Sequence, residues 1–149
     1  MGAVKTEIEQ AIKTLNLQPA DICLVSDGKG LYLELLNHFV TSGDRKWWWE
    51  DFRQEPFYFI EYKRPFEHLI HIIPEKTNTV WLMVEDDEED YYPIYNCKPS
   101  VIGKLIGECG AFEYYVIDQN KQWLICENHS DQLIGVGTAL KSKNKDKLR

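Results

Sequence analysis

A chain of 149 residues with 44% hydrophobic and 28% charged residues has the composition of a globular domain, which excludes a fibrous or intrinsically disordered protein. The net charge is −7, but residues 141–149 carry five basic residues and one acid. Residues 1–140 therefore carry −11, which excludes a broad surface for nucleic-acid phosphates and favours a basic protein partner. We predict a single domain over residues 1–140 and a solvated basic tail over residues 141–149.

The first third of the chain predicts two helices. Apolar residues recur at helical spacing over residues 3–16, with charged residues on the opposite face, as in an amphipathic helix. Residues 21–26 are either a short strand or a helical turn, and residues 27–30 (Asp-Gly-Lys-Gly) are a turn signal. A second helix is predicted over residues 31–40, with Gly43 as its C-cap.

Strands and helices alternate in the middle of the chain. Residues 57–62 predict a strand, and residues 65–73 predict a helix that begins at a proline and ends before the next one. Residues 79–84 and 91–97 predict two strands of a hairpin. Residues 99–109 again have helical spacing.

The last third predicts a meander of strands. Gly110 is the expected C-cap of the preceding helix. Residues 112–117 and 122–127 predict the two strands of a β-hairpin, because they flank a run of polar turn residues. Residues 132–136 predict one more strand. Together these elements predict the α+β class, with a mostly antiparallel sheet and helices packed on one face.

Six consecutive acids lie between the two middle strands: Glu85, Asp86, Asp87, Glu88, Glu89 and Asp90. The simplest interpretation is a solvated hairpin loop. The run lacks the alternating oxygens and the turn glycine of a calcium loop, which argues against a tight cation site. The alternative interpretation is a surface that attracts a cationic protein, because clustered like charge raises the association rate.

Three consecutive indoles, Trp47, Trp48 and Trp49, are the second unusual feature of the sequence. Neighbouring side chains diverge on a helix or strand, so the three cannot all enter the core together. One interpretation is therefore a recognition surface, since tryptophan is enriched at interfaces. The other is that the indoles fill the core at the end of the sheet.

Glu127, His129 and Asp131 alternate with polar spacers near the last strand. In an extended segment their side chains would share one side, where they could hold a metal or an acid/base pair, with His68 and His71 as further ligands. Against this, the same residues are ordinary turn chemistry, since Asn and Asp tolerate left-handed backbone and cap their own turns.

The four cysteines predict a reducing compartment. No two of them form a CxxC pair, and each lies within or beside an apolar run: Cys23, Cys97, Cys109 and Cys126. The chain shows no apolar signal segment and no run long enough to cross a bilayer. We therefore expect a cytoplasmic protein with free thiols and no membrane contact.

Residues 112–117, 123–131 and 133–137 resemble the C-terminal signature of a small uncharacterised bacterial family, a domain of unknown function. The resemblance is specific over about the last 50 residues and implies no substrate or catalytic residue. In general character the chain is also similar to toxin-neutralising immunity proteins, including the Smi1/Knr4-like group, although that group's motif is not found residue by residue.

Three functions are compatible with these patterns. The first is a non-enzymatic, immunity-like module that binds a basic protein partner, with no cofactor. The second is a small metal-dependent or acid/base hydrolase that uses Glu127, His129 and Asp131. The third is a structural or regulatory domain. The chain has no GxSxG, P-loop or GxGxxG motif. For the first of these functions, the binding module, we therefore predict no catalytic residue. The oligomeric state stays open.

Overall fold

The computed structural model describes residues 2–41, 48–59 and 63–140. Within these ranges the α-helices are Ala3–Thr14 (α1), Gly28–Phe39 (α2), Leu69–Ile72 (α3) and Pro99–Glu108 (α4). The strands are Ile22–Leu24 (β1), Phe57–Tyr58 (β2), Val80–Val84 (β3), Ile94–Cys97 (β4), Tyr114–Asp118 (β5), Leu124–Glu127 (β6) and Leu133–Val136 (β7). Short 3₁₀ turns lie at Trp48–Glu50 and Pro65–His68.

A seven-stranded sheet with the order β1-β4-β3-β5-β6-β7-β2 forms the centre of the described structure. Every adjacent pair of strands is antiparallel. The predicted hairpins β3–β4 and β5–β6 and the final strand β7 are confirmed. The α+β class with an antiparallel sheet is therefore confirmed as well.

The helices divide between the two faces of the sheet. On one face, α1, α3 and α4 pack together on the sheet, as the sequence predicted. On the other face, α2 packs through Tyr32, Leu35 and Phe39, which differs from the expected placement of all helices on one side. The reason lies in the central strands: Tyr114 faces the first cluster and its neighbour Tyr115 faces the second, so both sides of the sheet must be covered.

Two local predictions were wrong at helix ends. The signal at residues 27–30 begins α2, because the Asp27 side chain accepts a hydrogen bond from the Gly30 N–H at 3.3 Å and acts as the N-cap. Gly110 is not a left-handed C-cap; its N–H donates to Oε1 of Glu7 at 2.8 Å and joins the end of α4 to α1. Gly43 and the basic tail 141–149 lie outside the described residues.

No helix in the part of the chain that the structure describes is long and apolar enough to cross a membrane.

Candidate functional site

The acidic run lies against the first turn of α1. Oδ2 of Asp86 accepts a hydrogen bond from the Lys5 N–H at 2.9 Å, and Oε1 of Glu88 accepts one from the Ala3 N–H at 3.1 Å. The carboxylate of Glu89 accepts a third from the N–H of Gly2. These N–H groups have no partners within the helix, and the positive end of the helix dipole attracts the carboxylates. The run is thus the cap of α1.

Burial of Asp86 contradicts the interpretation of the whole run as a solvated loop. Asp86 is only 2% exposed, and its Oδ1 accepts the N–H of Glu88 at 3.0 Å. Gly2, the N-cap residue of α1, has no side chain that could cap the helix. The Asp86 carboxylate occupies the space where a Cβ of residue 2 would lie. Asp87, Glu88 and Asp90 are exposed. That the acidic run attracts a basic partner stays a prediction.

Trp48 and Trp49 pack on the α2 side of the sheet. Trp48 is fully buried, with its ring 5.4 Å from that of Tyr115 and 5.7 Å from that of Tyr32. Trp49 is partly buried, and its Nε1–H donates to Oε1 of Glu113 at 2.9 Å. The recognition role is therefore wrong for Trp48, and Trp47 lies outside the described residues.

A cavity of about 640 Å³ lies where β5 begins and β6 ends, against the end of α4 and the 3₁₀ turn at Pro65–His68. We call it the Glu127 pocket. Its wall combines basic, aromatic and polar side chains: Lys63, Arg64, Phe66, Phe112, Tyr114, Glu127, Asn128, His129 and Asp131. A volume of this size is typical of a ligand site.

The three polar residues singled out in the sequence meet in this pocket through a turn. Oδ1 of Asn128 accepts the N–H groups of Ser130 and Gln132, each at 3.0 Å, and Asp131 has left-handed backbone with φ of 61°. The turn interpretation is therefore confirmed, and the extended arrangement of the segment is wrong. Glu127, His129 and Asp131 still line one cavity.

The structure gives no support to a metal site in this place. Neither His68 nor His71 belongs to the pocket wall. Among the residues that the structure describes, no group of three or more His, Cys, Asp or Glu side chains is placed to hold a metal ion.

Glu127 is the most unusual group in the pocket. It is 8% exposed and lies opposite Tyr114 in the β5–β6 pairing, where the Tyr114 hydroxyl donates to its Oε1 at 2.7 Å. No described residue donates a hydrogen bond to its Oε2. Burial raises the pKa of Glu127; the Tyr114 hydrogen bond offsets part of this, and the charge of Asp131 adds to it.

This raised pKa predicts how the Glu127→Gln variant depends on pH. Because the folded state holds the Glu127 proton more tightly than the unfolded chain, wild-type stability falls as pH rises from the unfolded-state pKa through the folded-state pKa. Glutamine has nearly the shape of the protonated acid and does not titrate, so the variant does not lose this stability as pH rises. We expect Glu127→Gln to be more stable than wild type at neutral pH and equally stable in acid.

Urea unfolding at several pH values measures this difference. The matched control is Glu55→Gln, which makes the same chemical change at an exposed position and should stay close to wild type in stability. A Glu127→Gln variant that is less stable than wild type at neutral pH contradicts the prediction.

Glu113, which the sequence analysis did not single out, contacts a residue of the pocket wall and two aromatic residues outside it. It is 3% exposed; besides Trp49, the Tyr115 hydroxyl donates to its Oε2 at 2.7 Å. Nδ1 of the pocket residue His129 lies 3.7 Å from Oε1 of Glu113, and the rings of His129 and Trp49 are 5.7 Å apart. Glu113 thus contacts both Trp49 and the pocket residue His129.

The aromatic and basic parts of the wall were also missed. The Arg64 guanidinium pairs with the Glu67 carboxylate and lies 4.9 Å from the centre of the Phe66 ring. The ring of Phe112 is 6.5 Å from that of Tyr114. The only sequence signal for these residues was the proline-initiated helix at residues 65–73, which placed Phe66 in its first turn.

Comparison with known proteins identifies the family. A model described as a family of unknown function (DUF6756) matches residues 2–148, well beyond the C-terminal segment on which the sequence resemblance depended. No similarity to the Smi1/Knr4-like group is shown by this match. No curated protein and no solved structure matches the chain. The protein therefore belongs to the DUF6756 family, whose function is unknown.

Proposed function

We propose that this protein is a non-enzymatic binding module and that the Glu127 pocket receives a group of a protein partner. One observation carries the proposal: a nearly buried carboxylate, Glu127, presents an oxygen without a described hydrogen-bond donor to a concave, partly aromatic cavity. Burial disfavours the charged form of the Glu127 carboxylate, so a ligand that donates hydrogen bonds or carries positive charge would stabilise that form. Such a group is typical of a site that a ligand completes.

The acidic character of the chain supports a basic partner. Long-range attraction by residues 1–140 would bring such a partner to the protein, and the pocket would supply the specific contact. Asp86 and Glu89 contribute to this attraction only as distant charges, because they are already hydrogen-bonded to α1. An immunity-like role in the cytoplasm of a bacterium is the setting that we propose for this module.

Blocking the pocket tests the proposal. Ala111 is exposed and belongs to the pocket wall, so Ala111→Trp should fill the cavity without disturbing the core. We expect the partner that co-purifies with wild type from the native host to be lost with this variant. The complex should also weaken as salt rises from low to physiological concentration. Quantitative mass spectrometry of the bound proteins measures both effects.

The matched control is Leu33→Trp, which adds the same ring at a 51% exposed position of α2 on the other side of the sheet. This variant should retain the partner. The proposal is contradicted if Ala111→Trp and Leu33→Trp recover equal amounts of the partner, or if no specific partner co-purifies with wild type. A partner that is cleaved catalytically instead of retained would favour a hydrolase.

Acid/base hydrolysis is the second candidate function, because the raised pKa of Glu127 suits a general acid and His129 and Asp131 share its pocket. The wall offers no activated nucleophile among the described residues. Burial raises the pKa of the Cys109 thiol to about 11, and the nearby Glu7 and Glu108 charges add to this, so the thiol stays protonated. Hydrolysis would therefore need a water nucleophile, which ranks this function below binding.

A further inference from the structure

We propose that the group bound in the Glu127 pocket is the guanidinium of an arginine side chain presented by the protein partner. This inference rests on the proposed binding function and specifies its ligand chemistry. It follows from the acceptors, the burial of Glu127 and the aromatic wall of the pocket.

Two carboxylates, Glu127 and Asp131, line the cavity and can accept hydrogen bonds from a ligand. Oε1 of Glu127 is held by the Tyr114 hydroxyl, and its strand register opposite Tyr114 fixes the position of the carboxylate. Asp131 lines the same cavity and acts on Glu127 electrostatically as a like charge. A cation between the two removes their repulsion. The rigid fork of a guanidinium can donate to both carboxylates together, which a single ammonium does less well.

The least exposed charged side chain of the wall is an acid, since Glu127 is 8% exposed. Two basic residues, Lys63 and Arg64, oppose the two acids Glu127 and Asp131. Arg64, however, is already paired with Glu67, which lies outside the wall. Lys63 and Arg64 are both exposed, so the buried Glu127 carboxylate remains the group of the wall that a cation would approach.

The aromatic wall suits the flat face and the apolar stem of arginine. Phe66 already accepts one guanidinium, since the Cζ atom of Arg64 lies 4.9 Å from the centre of its ring. Phe112 and Tyr114 supply further aromatic surface in the same cavity. Guanidinium groups stack on such rings while their methylene stems cover apolar surface.

Short peptides test the inference on the full chain. Acetyl-Gly-Arg-Gly-amide is compared with the same peptide carrying citrulline, which has the shape of arginine without its charge, and with the lysine peptide. We expect saturable NMR shifts at pocket residues with the arginine peptide. Affinity for the citrulline peptide should be at least about tenfold weaker, because charge-assisted hydrogen bonds are lost. The lysine peptide should rank between them.

Variants place this binding in the pocket. Glu127→Gln and Asp131→Asn should each weaken the arginine peptide about tenfold or more. Asparagine tolerates the left-handed backbone at position 131, and Leu33→Trp should bind as wild type. Equal binding of arginine and citrulline, no saturable shift at millimolar peptide, or unchanged affinity in Glu127→Gln overturns the inference. If Ala111→Trp still abolishes partner capture in those cases, the binding function stands and only the arginine assignment fails.

Discussion

Replacement of Asp86 by alanine is expected to lower the free energy of unfolding by about 2–3 kcal/mol, because two backbone N–H groups lose a charged acceptor. One is the N–H of Lys5 in the first turn of α1, and the other is that of Glu88 in the loop itself. Asp86 is 2% exposed, so water replaces the carboxylate poorly. Thermal unfolding followed by circular dichroism should show a drop of roughly 5–10 °C in Tm.

Asp87→Ala is the matched control, since it removes the same charge from the adjacent, exposed position. It relieves repulsion within the run without removing a contact of α1, so its stability should equal or slightly exceed that of wild type. If the run were only a solvated loop, the two variants would behave alike. Equal stabilities of Asp86→Ala and Asp87→Ala would therefore refute the capping role.

The contrast between Asp86 and Asp87 shows what the sequence could and could not predict. Runs of β-forming residues around polar turn residues predict the hairpins β3–β4 and β5–β6, because these signals act locally. The acidic loop was placed correctly between its strands for the same reason. The burial of Asp86 depends on Lys5, 81 residues earlier in the chain, and no local pattern carries that contact.

The same limit applies to the pocket. Glu127, His129 and Asp131 were found because their types and spacing are unusual near the end of a strand. The sequence predicts nothing for Glu113 beyond a place in the strand over residues 112–117, since its partner Trp49 is 64 residues away. The sequence also does not predict which face of the sheet each helix covers. Strands that are buried on both faces show no alternation of polar and apolar residues, so neither face is marked as the solvent side.

Glu113→Ala is expected to lower the free energy of unfolding by about 2–4 kcal/mol, because two inward-facing donors lose their acceptor. These donors are the indole N–H of Trp49 and the hydroxyl of Tyr115, both on the α2 side of the sheet. Urea unfolding measures the loss, and the indole N–H resonance of Trp49 in the NMR spectrum should shift upfield as its hydrogen bond weakens.

Glu55→Ala, an exposed position, is the control for removing one acidic side chain and should be close to wild type. Glu113→Gln separates the loss of acceptors from the loss of packing: it keeps the shape but only one accepting oxygen, so its stability should lie between those of wild type and Glu113→Ala. Because His129 lies 3.7 Å from Glu113, the same variants should shift the pocket resonances of His129. Wild-type stability in Glu113→Ala would show that the Trp49 and Tyr115 hydrogen bonds contribute nothing to the stability of the fold.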